Sequence, residues 1–168
     1  SPLSRCATMS LAPIALFAYN RPSHLARTLS ALRGNPGARE SDLFIFSDGP
    51  RDSHDVQAVK DVRRVIRRIE GFGHISIREE PFNLGLAQSI IPGVTRLVEQ
   101  YGHIIVLEDD LVVAPGFLSF MNQALSRFSM EPRVMQITGN MFSFPSTAGV
   151  GDVFLSRKAA SCGWATWS

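Results

Sequence analysis

Three acids stand side by side at Glu108, Asp109 and Asp110, inside the stretch IIVLEDDLVVAPGF that runs from Ile104 to Phe117. Adjacent carboxylates repel one another, and removing them from water costs more unless positive charge lies close by. Carboxylate oxygens with neither cysteine nor clustered histidine favour magnesium or manganese over zinc. Such ions use one or two protein carboxylates and complete their shell with water and phosphate oxygens. The run therefore reads as a place where Mn2+ or Mg2+ bridges side-chain acids and phosphate. A plainer reading is a solvated loop before a helix, whose dipole favours negative charge.

Further groups with similar chemistry follow other apolar runs. Asn20 and Arg21 follow PIALFAY, Asp48 and Gly49 follow DLFIFS, and Asn83 and Gly85 come shortly after HISIRE. Each has a local explanation: Asn20 as a helix cap, Asp48-Gly49 as a turn pair, Asn83-x-Gly85 as loop chemistry. Together they are what a nucleotide site needs. Asp48 suits the ring of a base, Asp109 the hydroxyls of a ribose, and Arg21 a phosphate or a base. The glycines allow close backbone approach, and Asp110 is left for the cation.

The elements that would position these groups can be read from hydrophobic period. Pro13–Tyr19 is a buried strand, and Pro22 then opens a helix in which Leu25, Leu29 and Leu32 recur until Gly34. Asp42–Ser47 is the next strand. A helix capped by Asp52 or Ser53 follows, with Val59, Val62, Ile66 and Ile69 inward and Gly71 at its end. His74–Glu79 alternates as a strand. The helix after it, with Ile90, Val94, Leu97 and Tyr101 at helical spacing, contains Pro92-Gly93 and is expected to kink or split there. HIIVL is a central strand, and Pro115 opens a helix facing the core with Phe117, Phe120, Ala124 and Phe128. Val134–Gly139 and Asp152–Ser156 are read as the fifth and sixth strands. This alternation predicts an α/β fold, mostly parallel, with helices on both faces. Right-handed crossovers then bring every strand's carboxyl end, and so every group named above, to one edge.

Composition narrows the function. The chain has 168 residues, of which 45% are hydrophobic and 19% charged, so it suits one domain with a sizeable core. A net charge of +2 argues against a nucleic-acid partner. Lys60, Arg63, Arg64, Arg67 and Arg68 crowd one helix, read as a solvated face with contact to an anionic membrane surface as the second reading. Cys6 and Cys162 lie far apart and make no metal spacing with the four histidines, so a reducing, cytoplasmic setting is expected. No apolar run is long enough to span a membrane.

IALFAYNRP, FIFSDG, VLEDDLVVAPGF and SCGWATW occur in this order from about Pro13 to Trp167. Together they resemble the GT-A glycosyltransferases, in particular the N-acetylglucosaminyltransferase I group, while NLGLAQSI looks more like bacterial family-2 enzymes. The resemblance implies a Rossmann-like GT-A domain over residues 13–168 behind a tail of residues 1–12. It implies transfer of a sugar, with inversion, from a nucleotide-diphosphate donor such as a UDP-sugar to a saccharide or lipid-linked saccharide acceptor. It implies a base-and-ribose pocket from Ala18, Tyr19, Arg21 and Asp48, with Asn20 beside them and Asn83 and Gly85 bordering the nucleotide. Asp109 would touch the ribose, Asp110 would ligate manganese, and Glu108 would support the donor site. Gly163 and Trp164 would line the donor-sugar or acceptor pocket. The family's strict Asp-x-Asp is Glu-Asp-Asp here, a variant shared by the N-acetylglucosaminyltransferase I group. An inverting member also needs a carboxylate base, placed in this family downstream of the Gly-Trp segment. Asp152 is the only late carboxylate and is poorly placed, so the base and the acceptor part are expected beyond Ser168. A sugar nucleotidyltransferase is the rival enzyme, disfavoured because AYNRPSHL carries no glycine for a phosphate loop. A nucleotide-binding fragment without catalysis is the non-enzymatic rival.

Overall fold

The computed structural model describes residues 10–140, 153 and 155–168. Its centre is β1 (Ile14–Ala18), every residue of which is buried. Parallel neighbours lie on both sides: β2 (Leu43–Ser47) on one and β4 (His103–Glu108) on the other. Further out, β3 (Ile75–Glu79) pairs parallel with β2. On the far side β6 (Trp164–Trp167) runs antiparallel to both β4 and the two-residue β5 (Ile137–Thr138), giving the order β3-β2-β1-β4-β6-β5.

Strand alternation splits the core in two. Ile14, Leu16, Leu43, Ile45, Ile105 and Leu107 face α1 (Pro22–Arg33), α2 (Val56–Ile66) and α4 (Phe117–Phe128). Ala15, Phe17, Ile104 and Val106 face α3 (Leu86–Tyr101) on the opposite side. The expected α/β architecture, mostly parallel with helices on both faces, is the one observed.

The differences are local and have physical causes. α3 runs as one helix through Pro92 instead of splitting. Gly93 explains the close seat of this helix on the sheet: a Cβ there would stand 3.0 Å from Phe17 Cζ and 3.2 Å from Phe46 Cζ. The two rings stack on each other, 4.8 Å between centroids, and form the platform under α3. Neither Asp52 nor Ser53 caps α2; the N-cap is Asp55, while Asp52 accepts the His54 amide in a local turn. Ile69 lies past the helix end yet packs on the core.

The sixth strand is also displaced. Asp152 and Phe154 lie outside the described residues, and Val153, Leu155 and Ser156 are not in a strand. The sheet takes Trp164–Trp167 instead, whose alternation was hidden by the adjacent Gly163 and read as a motif. Trp167 Nε1 donates to the Leu125 carbonyl at 3.1 Å and ties this strand to α4.

Candidate active site at the carboxyl edge

The strand order reverses direction between β1 and β4, and that is where open α/β sheets leave a crevice. A cavity of about 220 Å³ opens at this edge. Of the residues singled out in the sequence, Ala18, Tyr19, Arg21, Asp48, Asn83, Gly85, Glu108 and Asp109 line it. Segments spread over about ninety residues thus converge on one concavity.

How the acids escape mutual repulsion is answered inside the chain. Arg21, at the N-cap of α1, sets Nη2 2.7 Å from Asp109 Oδ1, an ion pair by distance that is out of line for a hydrogen bond. Its Nη1 donates to Asp110 Oδ2 at 2.8 Å. Asp109 is 1% exposed, and its Oδ2 accepts the Tyr19 amide at 3.1 Å. Its backbone carbonyl accepts the hydroxyl of Thr28, a fully buried residue of α1. Burial raises the Asp109 carboxyl above the usual carboxylate range, with the Tyr19 amide and Arg21 pulling the other way. Asp109 therefore braces the ends of β1 and β4 together.

Glu108 differs. It stands in register with Phe17 and, by alternation, continues the face of Ile104 and Val106. It has no ion pair within the chain among the described residues. Burial first, then repulsion from Asp110 and Asp109, raises its carboxyl, with Arg21 partly offsetting them. A carboxyl raised on folding weakens the native state as pH rises through its folded value, because the native form then gives up a proton that it holds more tightly than the unfolded chain. Glu108→Gln should accordingly raise the urea midpoint at neutral pH, with the gain vanishing in acid. A lower midpoint at neutral pH would contradict this placement.

Asp48 also takes a different role from the expected one. It is 8% exposed, and its carboxylate is filled from within the chain. Oδ1 accepts the amides of Gly49 at 2.9 Å and Leu84 at 2.8 Å, while Oδ2 accepts the Gly85 amide and Asn83 Nδ2, both at 3.0 Å. Four donors occupy the roughly four lone-pair sites of a carboxylate. None is left for a base ring. Asp48 shapes the cavity by clamping the β3–α3 loop onto the end of β2, and Asn83 works in the same clamp.

Tyr19 presents its ring at the cavity and anchors its hydroxyl on Asp55. Asp55 Oδ1 also accepts Asn20 Nδ2 at 2.8 Å, so Asn20 is a brace rather than a helix cap and does not itself line the cavity. These bonds hold the Asp55 carboxyl below its ordinary value. Burial and the Asp55 contact raise the Tyr19 phenol.

Gly163 and Trp164 are placed elsewhere. Gly163, with φ of 64°, faces Phe117 and Leu107, and Trp164 opens β6 opposite Val106 and packs with the cluster beneath α3. Neither lines the cavity. Conversely, Arg51, Leu86 and Ser89 line it without having been singled out. Arg51 belongs to the turn after β2, so the rule of reading strand ends could have found it. Ser89 lies one helical turn past Gly85, and its buried hydroxyl has no hydrogen-bond partner among the described residues.

Among the described residues no group of three or more His, Cys, Asp or Glu is arranged to hold a metal. Asp110 offers an exposed carboxylate, 37% accessible and engaged by Arg21 through one oxygen, and Glu108 offers a second, half-buried and without an ion pair among the described residues. This fits an ion of the magnesium or manganese kind that takes one or two carboxylates and draws its other ligands from water and phosphate. It does not fit a cage made by the protein.

No family model matches the chain. A solved structure of 4-diphosphocytidyl-2C-methyl-D-erythritol synthase from Anaerococcus prevotii is similar over 96% of this chain and 72% of that one, at 11% identity and a TM-score of 0.52. This likeness is one of fold alone, a Rossmann-like α/β sheet with helices on both faces. Staphylococcus aureus TarS is similar over 70% of this chain at 14% identity and a TM-score of 0.42, and the matched region spans 20% of that longer chain.

Proposed function

We propose that the chain carries the donor site of a metal-assisted, inverting glycosyltransferase that takes a nucleoside diphosphate sugar, a UDP-sugar by resemblance, and serves a saccharide or lipid-linked saccharide acceptor. The observation that carries this reading is the crevice between β1 and β4, where Arg21, Arg51, Tyr19, Glu108 and Asp109 line one cavity and Asp110, outside that lining, is held to it by Arg21. In this reading the ring of Tyr19, held by Asp55, is a flat support for a base, and Arg51 reaches the base or ribose. Arg21 is the cation nearest the acids and would meet the phosphates. It can do so without stranding Asp109, because Asp109 keeps the Tyr19 amide. Asp110 would hold Mn2+ or Mg2+, and the bound ion would supply charge stabilisation to the leaving diphosphate. No described carboxylate is assigned as the base that activates the acceptor.

A second reading, nucleotidyl transfer to a sugar phosphate, is favoured by the synthase likeness in fold. The turn after β1 argues against it, since Tyr19-Asn20-Arg21 supplies no glycine to cradle a triphosphate. Product analysis separates the two. Release of pyrophosphate from a nucleoside triphosphate and a sugar phosphate supports the second reading. Release of nucleoside diphosphate from a sugar nucleotide, by slow hydrolysis or by transfer, supports the first.

A further inference from the structure

The basic residues of α2 are more than a solvated face. Lys60, Arg63 and Arg64 stand on α2 and Arg67 and Arg68 in the turn that follows it, at intervals of three and four that bring all five to one groove. Together they line a groove of about 450 Å³ to which no carboxylate contributes. The acids that answer them lie at its margins: Asp61 pairs with Arg64, and Glu79 of β3 pairs with Arg67 and stands 3.7 Å from Arg63 Nε. Five cations against these two acids leave a surplus of three, with Lys60 and Arg68 unpaired among the described residues.

The loop that Arg63 touches carries exposed apolar side chains. Arg63 Nη2 donates to the carbonyl of Glu80, where the β3–α3 loop begins. Two residues on, Phe82 is 65% exposed, and Leu84 and Leu86 follow at 37% and 57%. Leu86 lines the candidate donor cavity. Cationic groove and cavity mouth therefore meet at the β3–α3 loop, although α2 and α3 cover opposite faces of the sheet.

We propose that the β3 edge adsorbs to an anionic lipid surface, the α2 groove meeting headgroup phosphates while Phe82 and its neighbours enter the interface. Basic residues near a bilayer attract acidic lipids, and exposed aromatic or aliphatic tips add apolar burial. Surplus positive charge beside a solvent-exposed apolar loop is complementary to such a surface and to neither water nor a neutral partner alone. The inference extends the proposed function, because a lipid-linked acceptor would be met where the cavity opens, but the adsorption does not depend on it.

Co-sedimentation with phosphatidylcholine vesicles, with and without phosphatidylglycerol, tests the proposal. The chain should bind the phosphatidylglycerol vesicles and release them at high salt. The combined change Lys60→Glu, Arg64→Glu and Arg68→Glu should weaken binding by about a hundredfold. Phe82→Ser should weaken it by about tenfold while leaving the salt sensitivity in place. Unfolding midpoints and nucleotide titrations of the same variants should be unchanged, so loss of adsorption and loss of the donor site are read separately. Equal binding to neutral vesicles, retention by the charge-reversed variant, or capture of dextran sulfate with no affinity for vesicles would each overturn it.

Discussion

Asp48→Ala should lower the free energy of unfolding by about 3 kcal/mol and remove measurable nucleotide binding, because one carboxylate satisfies three backbone amides and the Asn83 side chain. Partly buried amides that lose their acceptor must find water or stay unpaired, and the loop carrying Asn83 and Gly85 then loses its seat on β2. Asparagine should rescue little. Each oxygen of Asp48 faces two donors, so either placement of the new amide group sets N–H against N–H. A urea titration of both variants checks this. An alanine variant as stable as the parent chain would show that the loop holds its place by other means.

The second large effect is expected at Gly49→Ala. A Cβ there would stand 2.4 Å from the carbonyl carbon of Phe82 and 2.5 Å from its Cα and N, inside contact distance of three backbone atoms. Backbone cannot swing away as the end of a side chain can, so the β3–α3 loop must lift off the end of β2. The expected cost is about 2–4 kcal/mol, with weakened nucleotide affinity. Gly85→Ala provides the contrast. Gly85 has open space around its Cβ position, so the cost there, about 1–3 kcal/mol, comes only from a backbone of φ 82° and ψ 158° that glycine alone adopts readily. A Gly49→Ala chain as stable as the parent would refute the steric account of Gly49.

These two residues show which part of the site was legible in the sequence. That Asp48 and Gly49 follow a strand and reach the binding edge could be read from period and turn chemistry alone. That three of the four donors to Asp48 come from thirty-five and more residues away could not, because hydrogen-bond partners depend on how the β3–α3 loop returns over the sheet. The acids divide in the same way. Their place at the end of β4 follows from the apolar run before them. The burial of Asp109, the absence of an ion pair at Glu108 among the described residues and the pairing of Asp110 with Arg21 follow from strand alternation and from Arg21, which the sequence placed nearby without saying which acid it would meet. Trp164 was missed as a strand residue because four residues after a glycine give too little alternation to outweigh a motif. Helix α3 persisted through Pro92 because its packing on Phe17 and Phe46, through Gly93, outweighs a local breaking tendency.

The central claim is that a nucleoside diphosphate occupies the crevice at Arg21 with a cation on Asp110. Isothermal titration with uridine diphosphate, in the presence and absence of manganese, tests it on the parent chain, Arg21→Ala and Asp110→Ala. The account predicts binding that manganese strengthens by at least about tenfold, a weakening of similar size in Arg21→Ala, and loss of the manganese effect in Asp110→Ala. Binding of equal strength in all three chains, indifferent to the metal, would contradict it.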